Sequence, residues 1–329
     1  LPERAQFDPY LNDPLRWGAS MAHHAELMLA CLDAVKAQTV LEVGAYAGDL
    51  TRVLVDWAQG AAATVKAIDP SPQPQLVALA TEHDALELIR ETSLDALPGV
   101  AADAIVIDGD HNYYTVAQEL ALIAEQAPGA DLPLLFFHDV CWPHGRRDDY
   151  FDIDLIPADY RQQPLVGDGR GISPGDPGAP EDGLPYPRSA AREGGDRNGV
   201  RTAVEDFIKG REKLRLVAVP AFFGFGVLWH EDAPWAAEVA RILDVWDDNP
   251  LVGRLEANRV GHVAQEHALR VEIWKLRERR QREEAVLNRI LQSRAFEVAE
   301  ALSRLRVRIG VAPGQSIISR KLIRSAMTD

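Results

Sequence analysis

Apolar residues recur at helical spacing through Met21, Ala25, Met28, Leu29 and Leu32, and the period then collapses into a short β-branched run at 39–43. The pattern predicts a helix over 21–35 and a strand over 39–43. A glycine-bearing turn follows, Gly44-Ala45-Tyr46-Ala47-Gly48, and helical spacing resumes over 50–57. Further strands are predicted at 65–69, 85–90, 104–108 and 134–138, with helices at 73–82 and 114–126 between them. Parallel neighbours need a crossover between them, so this alternation implies a parallel sheet covered by helices on both faces. After a helix at 200–209 come strands at 214–219 and 225–229, close enough in sequence to pair antiparallel. The predicted fold is α/β: a doubly wound, mostly parallel seven-stranded Rossmann-like sheet with an antiparallel last strand.

Two stretches fall outside that rhythm. Residues 142–198 are rich in Gly, Pro, Asp and Arg, and a loop of this length reads either as a substrate lid or as a disordered segment. From 233 onward the chain turns helical, and 253–306 is dense in Arg, Glu, Leu and Ala without proline. Apolar positions recur there in imperfect heptads (Leu255, Leu269, Leu276, then Leu291, Val298, Leu305), broken by His262 and Glu283. This supports either an amphipathic helix packed on its own domain or a coiled coil between subunits. The expected organisation is a catalytic domain over 1–232, with 142–198 as an insertion, and a helical or coiled-coil extension over 233–329.

Composition narrows the function classes. A formal net charge of −15 offers no broad basic face for phosphates, so a nucleic-acid substrate is not expected. No apolar run reaches the length of a membrane span. Cys31 and Cys141 are too few for a disulfide framework, and no basic, apolar leader opens the chain, so a reducing cytoplasm is the expected location.

The segment Val40-Leu41-Glu42-Val43 running into Gly44-x-x-x-Gly48 marks a cofactor crevice, because glycines at a strand's carboxyl end let backbone approach a nucleotide closely. A dinucleotide fingerprint needs a further glycine, where this chain carries Ala45 and Tyr46. The charge of Glu42 would repel a phosphate but suits an amine and a sulfonium, which favours S-adenosylmethionine. Asp69, ending the next strand, is placed to accept ribose hydroxyls, or serves simply as a turn or helix cap. Ser93 follows the third strand and would lie near the adenine by topology.

Asp108 and Asp139 end adjacent strands at one rim, and their hard oxygens suit Mg²⁺ or Mn²⁺. His138 joins them as a ligand only if the strand has ended there, since consecutive strand residues face opposite ways. His111, on the turn into the next helix, suits proton removal from a hydroxyl, or with Asp110 caps the helix beginning near Asn112. Arg146, Arg147 and Tyr150 open the insertion and Asn198 closes it. They read as an acceptor pocket suited to a polyol, or as a solvated loop.

In Glu42-Val-Gly-Ala-Tyr-Ala-Gly48, Asp69, and the strand-end Asp108 and Asp139, the chain resembles the class I S-adenosylmethionine-dependent methyltransferases over roughly residues 20–230. Ile107-Asp-Gly-Asp-His-Asn-Tyr113 together with Phe136-Phe-His-Asp-Val140 resembles the branch containing cephalosporin-hydroxylase-like proteins and macrolide-sugar O-methyltransferases. The resemblance implies a divalent metal held by acids at the ends of the fourth and fifth strands, a hydroxyl deprotonated beside it, and His111 as the base. The family commonly carries Glu-Asp where this chain has His138-Asp139. The expected activity is O-methylation of a sugar hydroxyl, in a glycan or glycosylated product, with S-adenosylmethionine and Mg²⁺, by a homo-oligomer, a dimer, joined through the tail. Two other readings stand beside it. A nicotinamide-dependent oxidoreductase would need a glycine at position 46. A non-catalytic scaffold of a glycan-assembly pathway would have a vestigial cofactor fold, against which Gly44, Gly48, Asp69 and His111 argue.

Overall fold

In the computed structural model residues 19–311 are described, together with Ser319, Arg320 and Ile323. The outer ends of the two expected regions, 1–18 and most of 312–329, lie outside the described residues. Seven strands form one sheet: β1 (Thr39–Val43), β2 (Thr64–Ile68), β3 (Leu86–Ile89), β4 (Ala104–Ile107), β5 (Leu134–His138), β6 (Leu214–Val219) and β7 (Phe225–His230), in the order β3-β2-β1-β4-β5-β7-β6. The first five are parallel, and β7 runs antiparallel between β5 and β6.

The strand pattern explains the layering. Every residue of β4 and β5 is buried, as a central strand covered on both faces requires. Alternate side chains serve opposite cores. Val40, Val106 and Phe136 pack beneath α1 (Ala25–Val35), α2 (Asp49–Ala61) and α3 (Pro74–Glu82), while Leu41, Ile107 and Phe137 pack beneath α5 (Tyr113–Gln126) and α6 (Val200–Ile208). A four-residue helix α4 (Ser93–Ala96), capped by Thr92, follows β3; it is too short to leave a helical period in the sequence. Strand order reverses between β1 and β4, so a crevice opens at their carboxyl ends.

Residues 142–198 form no strand of the sheet, yet they are tied together, which removes the disordered reading. Short bridges pair Asp149 with Ser189, Leu165 with Ala190 and Ile172 with Leu184, around a small core of Val166, Ile172 and Leu184. Arg147 is fully buried within it, and its guanidinium donates to the carbonyls of Ala190 (2.7 Å), Gly178 (3.1 Å) and Pro177 (3.2 Å). Removing it strands several buried carbonyls at once. Arg147→Ala is therefore expected to destabilise the chain by about 3 kcal/mol and to speed limited proteolysis within 142–198. Wild-type cleavage kinetics in the variant would show that the insertion does not depend on this side chain.

The compact unit runs to Gln265 rather than ending at the expected 232. The reason is α7 (Ala236–Leu243), whose Ala236, Val239 and Leu243 complete the core beneath α1. The second unit, Glu266–Asp329, contains the continuation of α8 (Pro250–Leu291) and then α9 (Arg294–Arg308), which is capped by Ser293. Ion pairs four residues apart line α8, including Arg279–Glu283 and Arg282–Glu278, while Leu269, Ile273, Trp274 and Leu276 are exposed. Among the described residues no helix is long and apolar enough to cross a membrane.

Candidate active site

The glycine turn is held from both neighbouring strands. Gly44 has φ +87°, its N–H donates to the Ile68 carbonyl (2.9 Å), and its α-carbon lies against the Asp108 backbone. Tyr46 is also left-handed (φ +44°), and its N–H donates to Asp69 Oδ2 at 2.6 Å, while Asp69 Oδ1 accepts from Ser71 N at 2.7 Å. Asp69 thus fastens the turn from the end of β2. A cleft beside the turn is lined by Ser20, Met21, Glu42, Gly44, Tyr46 and Asp108. Of the expected cofactor residues, Glu42, Gly44, Tyr46 and Asp108 line it. Gly48, Asp69 and Ser93 do not: Gly48 caps α2, Asp69 is engaged by backbone, and Ser93 begins α4.

Glu42 carries a correction. The charge argument treated it as an anion, but it is buried, its Oε2 has no hydrogen-bond partner, and its carboxyl is pushed up to about 8. Burial is the main cause, with Asp108, Asp49 and Asp69 adding to it and neighbouring Thr51 partly offsetting. Near neutral pH it is mostly protonated. Asp108, which also lines the cleft, is held as an anion: burial opposes its ionisation, but His138 and His111 outweigh that and hold it at about 2.

A second buried carboxyl, Glu119 on α5, has neither oxygen partnered and is likewise pushed up to about 8 by burial. A folded-state pKa above the ordinary 4.5 means that the folded chain binds the extra proton. That stability is complete below about 4.5 and is lost as pH rises through about 8. The melting temperature is expected to fall by several degrees between about pH 5 and 8, and Glu119→Gln to flatten the decline. An equally steep decline in the variant would assign the slope to other groups.

The chemistry gathers at the ends of β4 and β5. Asn112, not His111, caps α5, its Oδ1 accepting from Thr115 N at 2.9 Å. Asp110 accepts from Thr115 Oγ1 and Phe151 N, so it links α5 to the insertion. His111 is left between two acids: Nε2 lies 3.3 Å from Asp108 Oδ1 and Nδ1 lies 3.2 Å from Asp139 Oδ2. β5 ends at His138, and Asp139 turns left-handed (φ +56°), which meets the condition for their side chains to converge. His138 Nδ1 lies 3.1 Å from Asp108 Oδ1 and 3.6 Å from Asp139 Oδ2, and its Nε2 donates to the Phe222 carbonyl at 3.1 Å.

His144, which the sequence reading missed, joins the cluster from the insertion. It is buried, its ring stacks on His111 with centroids 5.6 Å apart, and its Nδ1 has no hydrogen-bond partner. Among the described residues two groups of three have ligand atoms within 4.8 Å of one another: Asp108, His111 and His138, and His111, Asp139 and His144. The expected metal set of Asp108, His138 and Asp139 is not one of them, because His111 sits between the two carboxylates. Burial opposes charge on both imidazoles, but Asp139 and Asp108 outweigh it at His111, pushed up to about 10, and Asp108 and Asp139 do so at His138, pushed up to about 9. Burial lowers His144 instead. In this arrangement His111 holds a proton rather than accepting one.

The expected acceptor residues are engaged elsewhere. Besides Arg147, Tyr150 is buried, donating to Asp148 Oδ2 (2.9 Å) and accepting from Gln162 N (2.8 Å). Asn198 is buried between Asp148 N and the Arg192 and Gly194 carbonyls. Arg146 pairs with Glu205 and Thr202 on α6. Arg146 ties the insertion to α6, while the other three side chains hold the insertion together within itself, and these local roles were invisible without the fold.

Residues 41–140 match a family described as a methyltransferase domain. A search of curated proteins gives no match. Among solved structures, the chain is similar to an S-adenosylhomocysteine-bound methyltransferase from Podospora anserina (18% identity, 65% of this chain and 80% of that one, TM-score 0.40). It is also similar to a putative O-methyltransferase from Klebsiella pneumoniae (15% identity, 70% and 91%, TM-score 0.41) and to TomG, an O-methyltransferase of tomaymycin synthesis from Streptomyces achromogenes (14% identity, 68% and 90%, TM-score 0.40).

Proposed function

We propose that the chain is an S-adenosylmethionine-dependent O-methyltransferase, assisted by a divalent cation, whose acceptor is a sugar hydroxyl of a glycan or glycosylated product. One observation carries the reading: Asp108 belongs both to the cleft beside the glycine turn and to the Asp–His cluster, so cofactor and acceptor sites share a wall. S-adenosylmethionine, when bound, supplies a methyl group on a sulfonium that an oxygen nucleophile displaces as the carbon–sulfur bond breaks. A divalent cation, when bound, lowers the pKa of a neighbouring hydroxyl.

The chain's own residues supply the rest. The Gly44 turn gives close backbone approach, and the mostly protonated Glu42 can accept or donate a hydrogen bond without placing a full charge in the cleft. His111, expected to be the base, is engaged between its two acids, so this reading places it with Asp108 and His138 among the groups that would hold the cation, which would displace the extra proton from each ring. The neutral imidazole available to take the hydroxyl proton is then His144, with its buried Nδ1 unpartnered. The insertion that delivers His144 is the natural wall of the acceptor site.

The first test is calorimetric titration with S-adenosylmethionine, with and without Mg²⁺, and with NAD⁺ as the rival nucleotide. Binding of S-adenosylmethionine alone supports the reading. Binding of NAD⁺ alone would replace it with an oxidoreductase, although Tyr46 fills the position where a dinucleotide turn needs glycine. Binding of neither would favour the scaffold. We also propose a homodimer through the apolar positions of α8 and α9; a monomeric mass by light scattering on the full chain would remove it.

A further inference from the structure

The donor set at the ends of β4 and β5 is not one that Mg²⁺ prefers. Mg²⁺ takes oxygen ligands and several waters. Here each of the two close groups holds two imidazoles and one carboxylate, a mixture that suits Zn²⁺, Fe²⁺ and Co²⁺. Hydrogen bonding decides between the groups. The Phe222 carbonyl can only accept, so His138 Nε2 carries a hydrogen, and once its second proton is displaced Nδ1 offers a lone pair beside Asp108 Oδ1, 3.1 Å away. His111 Nδ1 can likewise keep its hydrogen on Asp139 Oδ2, so that displacing the proton on Nε2 leaves a lone pair beside the same Asp108 oxygen, 3.3 Å away. Two nitrogens and one carboxylate oxygen thus converge, and each ring is oriented from behind, one by a backbone carbonyl and one by a carboxylate. Metal-binding histidines are held in this way.

An ordinary network of ion pairs would close by putting a second proton on each ring. A separate feature argues for more than that. His144, buried against His111, keeps Nδ1 unpartnered, so the cluster carries more nitrogen donor capacity than its own hydrogen bonds consume. An unpartnered buried nitrogen is costly unless something supplies its partner.

We propose that Asp108, His111 and His138 form a two-imidazole, one-carboxylate site for a divalent transition metal of the Zn²⁺ class, selected over Mg²⁺, with Asp139 and the Phe222 carbonyl orienting the two rings. Its use in catalysis rests on the methyl-transfer reading above, whereas the metal preference is measured without turnover. The same placement makes Asp139 a positioning residue rather than a ligand.

The test is calorimetry and equilibrium dialysis of the chelator-treated full chain with Zn²⁺, Co²⁺ and Mg²⁺ separately. S-adenosylmethionine binding and circular dichroism serve as controls for the cleft and the fold. One Zn²⁺ per chain is expected, bound at least about 100-fold more tightly than Mg²⁺. His138→Gln should abolish the site, and Asp139→Asn should weaken it by roughly 10- to 100-fold. The visible spectrum of the Co²⁺-loaded chain should change in both variants, which a purely structural role for these residues would not produce in folded protein. Mg²⁺ binding as tightly as Zn²⁺, or Zn²⁺ binding unchanged in His138→Gln, would overturn the proposal. A chain that binds S-adenosylmethionine but takes up none of the three metals would overturn it and leave the methyl-transfer reading standing; loss of both would sink the two together.

Discussion

Replacing His111 by alanine is expected to leave S-adenosylmethionine affinity within about twofold of wild type and to cut methyl transfer roughly 100-fold or more. The two effects separate because His111 does not line the cleft, whereas its ring joins the carboxylates at the ends of β4 and β5. Without the imidazole, Asp108 and Asp139 lose the group between them, and the cluster loses a nitrogen common to both candidate ligand groups. The fold should survive, since the ring is partly exposed and Asn112 rather than His111 caps α5. Calorimetry reads the affinity, and transfer of labelled methyl to a panel of sugar acceptors reads the rate. Undiminished transfer with intact binding would place the chemistry outside this cluster.

Gly44→Ala is expected to be the most damaging small substitution at the cleft. An added β-carbon would stand 2.2 Å from the Asp108 carbonyl oxygen and 2.4 Å from the Gly109 α-carbon, and no rotamer change relieves a clash with backbone. The left-handed φ adds strain of its own. Together these should cost at least about 3 kcal/mol and lower the melting temperature by roughly 6–12 °C. Gly169→Ala supplies the control, since Gly169 has φ +80° but nothing within 4 Å of an added β-carbon, so only about 1–2 kcal/mol is expected there. Equal losses in the two variants would show that the contact with β4 contributes nothing.

Much of the sheet was legible because its signal is local. The apolar runs at 39–43, 134–138 and 214–219 are β1, β5 and β6 with no shift of boundary, and Gly44 and Gly48 form the turn the sequence placed after β1. What escaped depended on distant partners. Asp69 sits after β2 where the reading placed it, but that its oxygens also accept from the backbone N–H groups of Tyr46 and Ser71, fastening the glycine turn, shows only in the fold. Arg147 and Tyr150 look like surface chemistry in a polar stretch, but three carbonyls and a carboxylate draw them inside. His144 has no periodic context at all, and only the folding back of the insertion brings it to His111. The same limit hid α7, whose helical pattern was readable but whose attachment to α1 was not.

The contacts that His111 and His138 make differ greatly in the length of chain they close. His111 meets Asp108 three residues away, and His138 meets Asp108 across 30, whereas the Phe222 carbonyl reaches His138 across 84. Contacts of short separation cost little closure entropy and form early, while long ones wait for the intervening segment to order. β4 and β5 can therefore bring the acids and both histidines together while the insertion and the β6–β7 hairpin are still unformed. Without the Phe222 carbonyl, the Asp108 contact alone would not fix which His138 nitrogen faces the carboxylate. Arrival of the hairpin, with Phe222 at its tip, selects the tautomer, so the last long-range pairing of the sheet is also the step that completes the site.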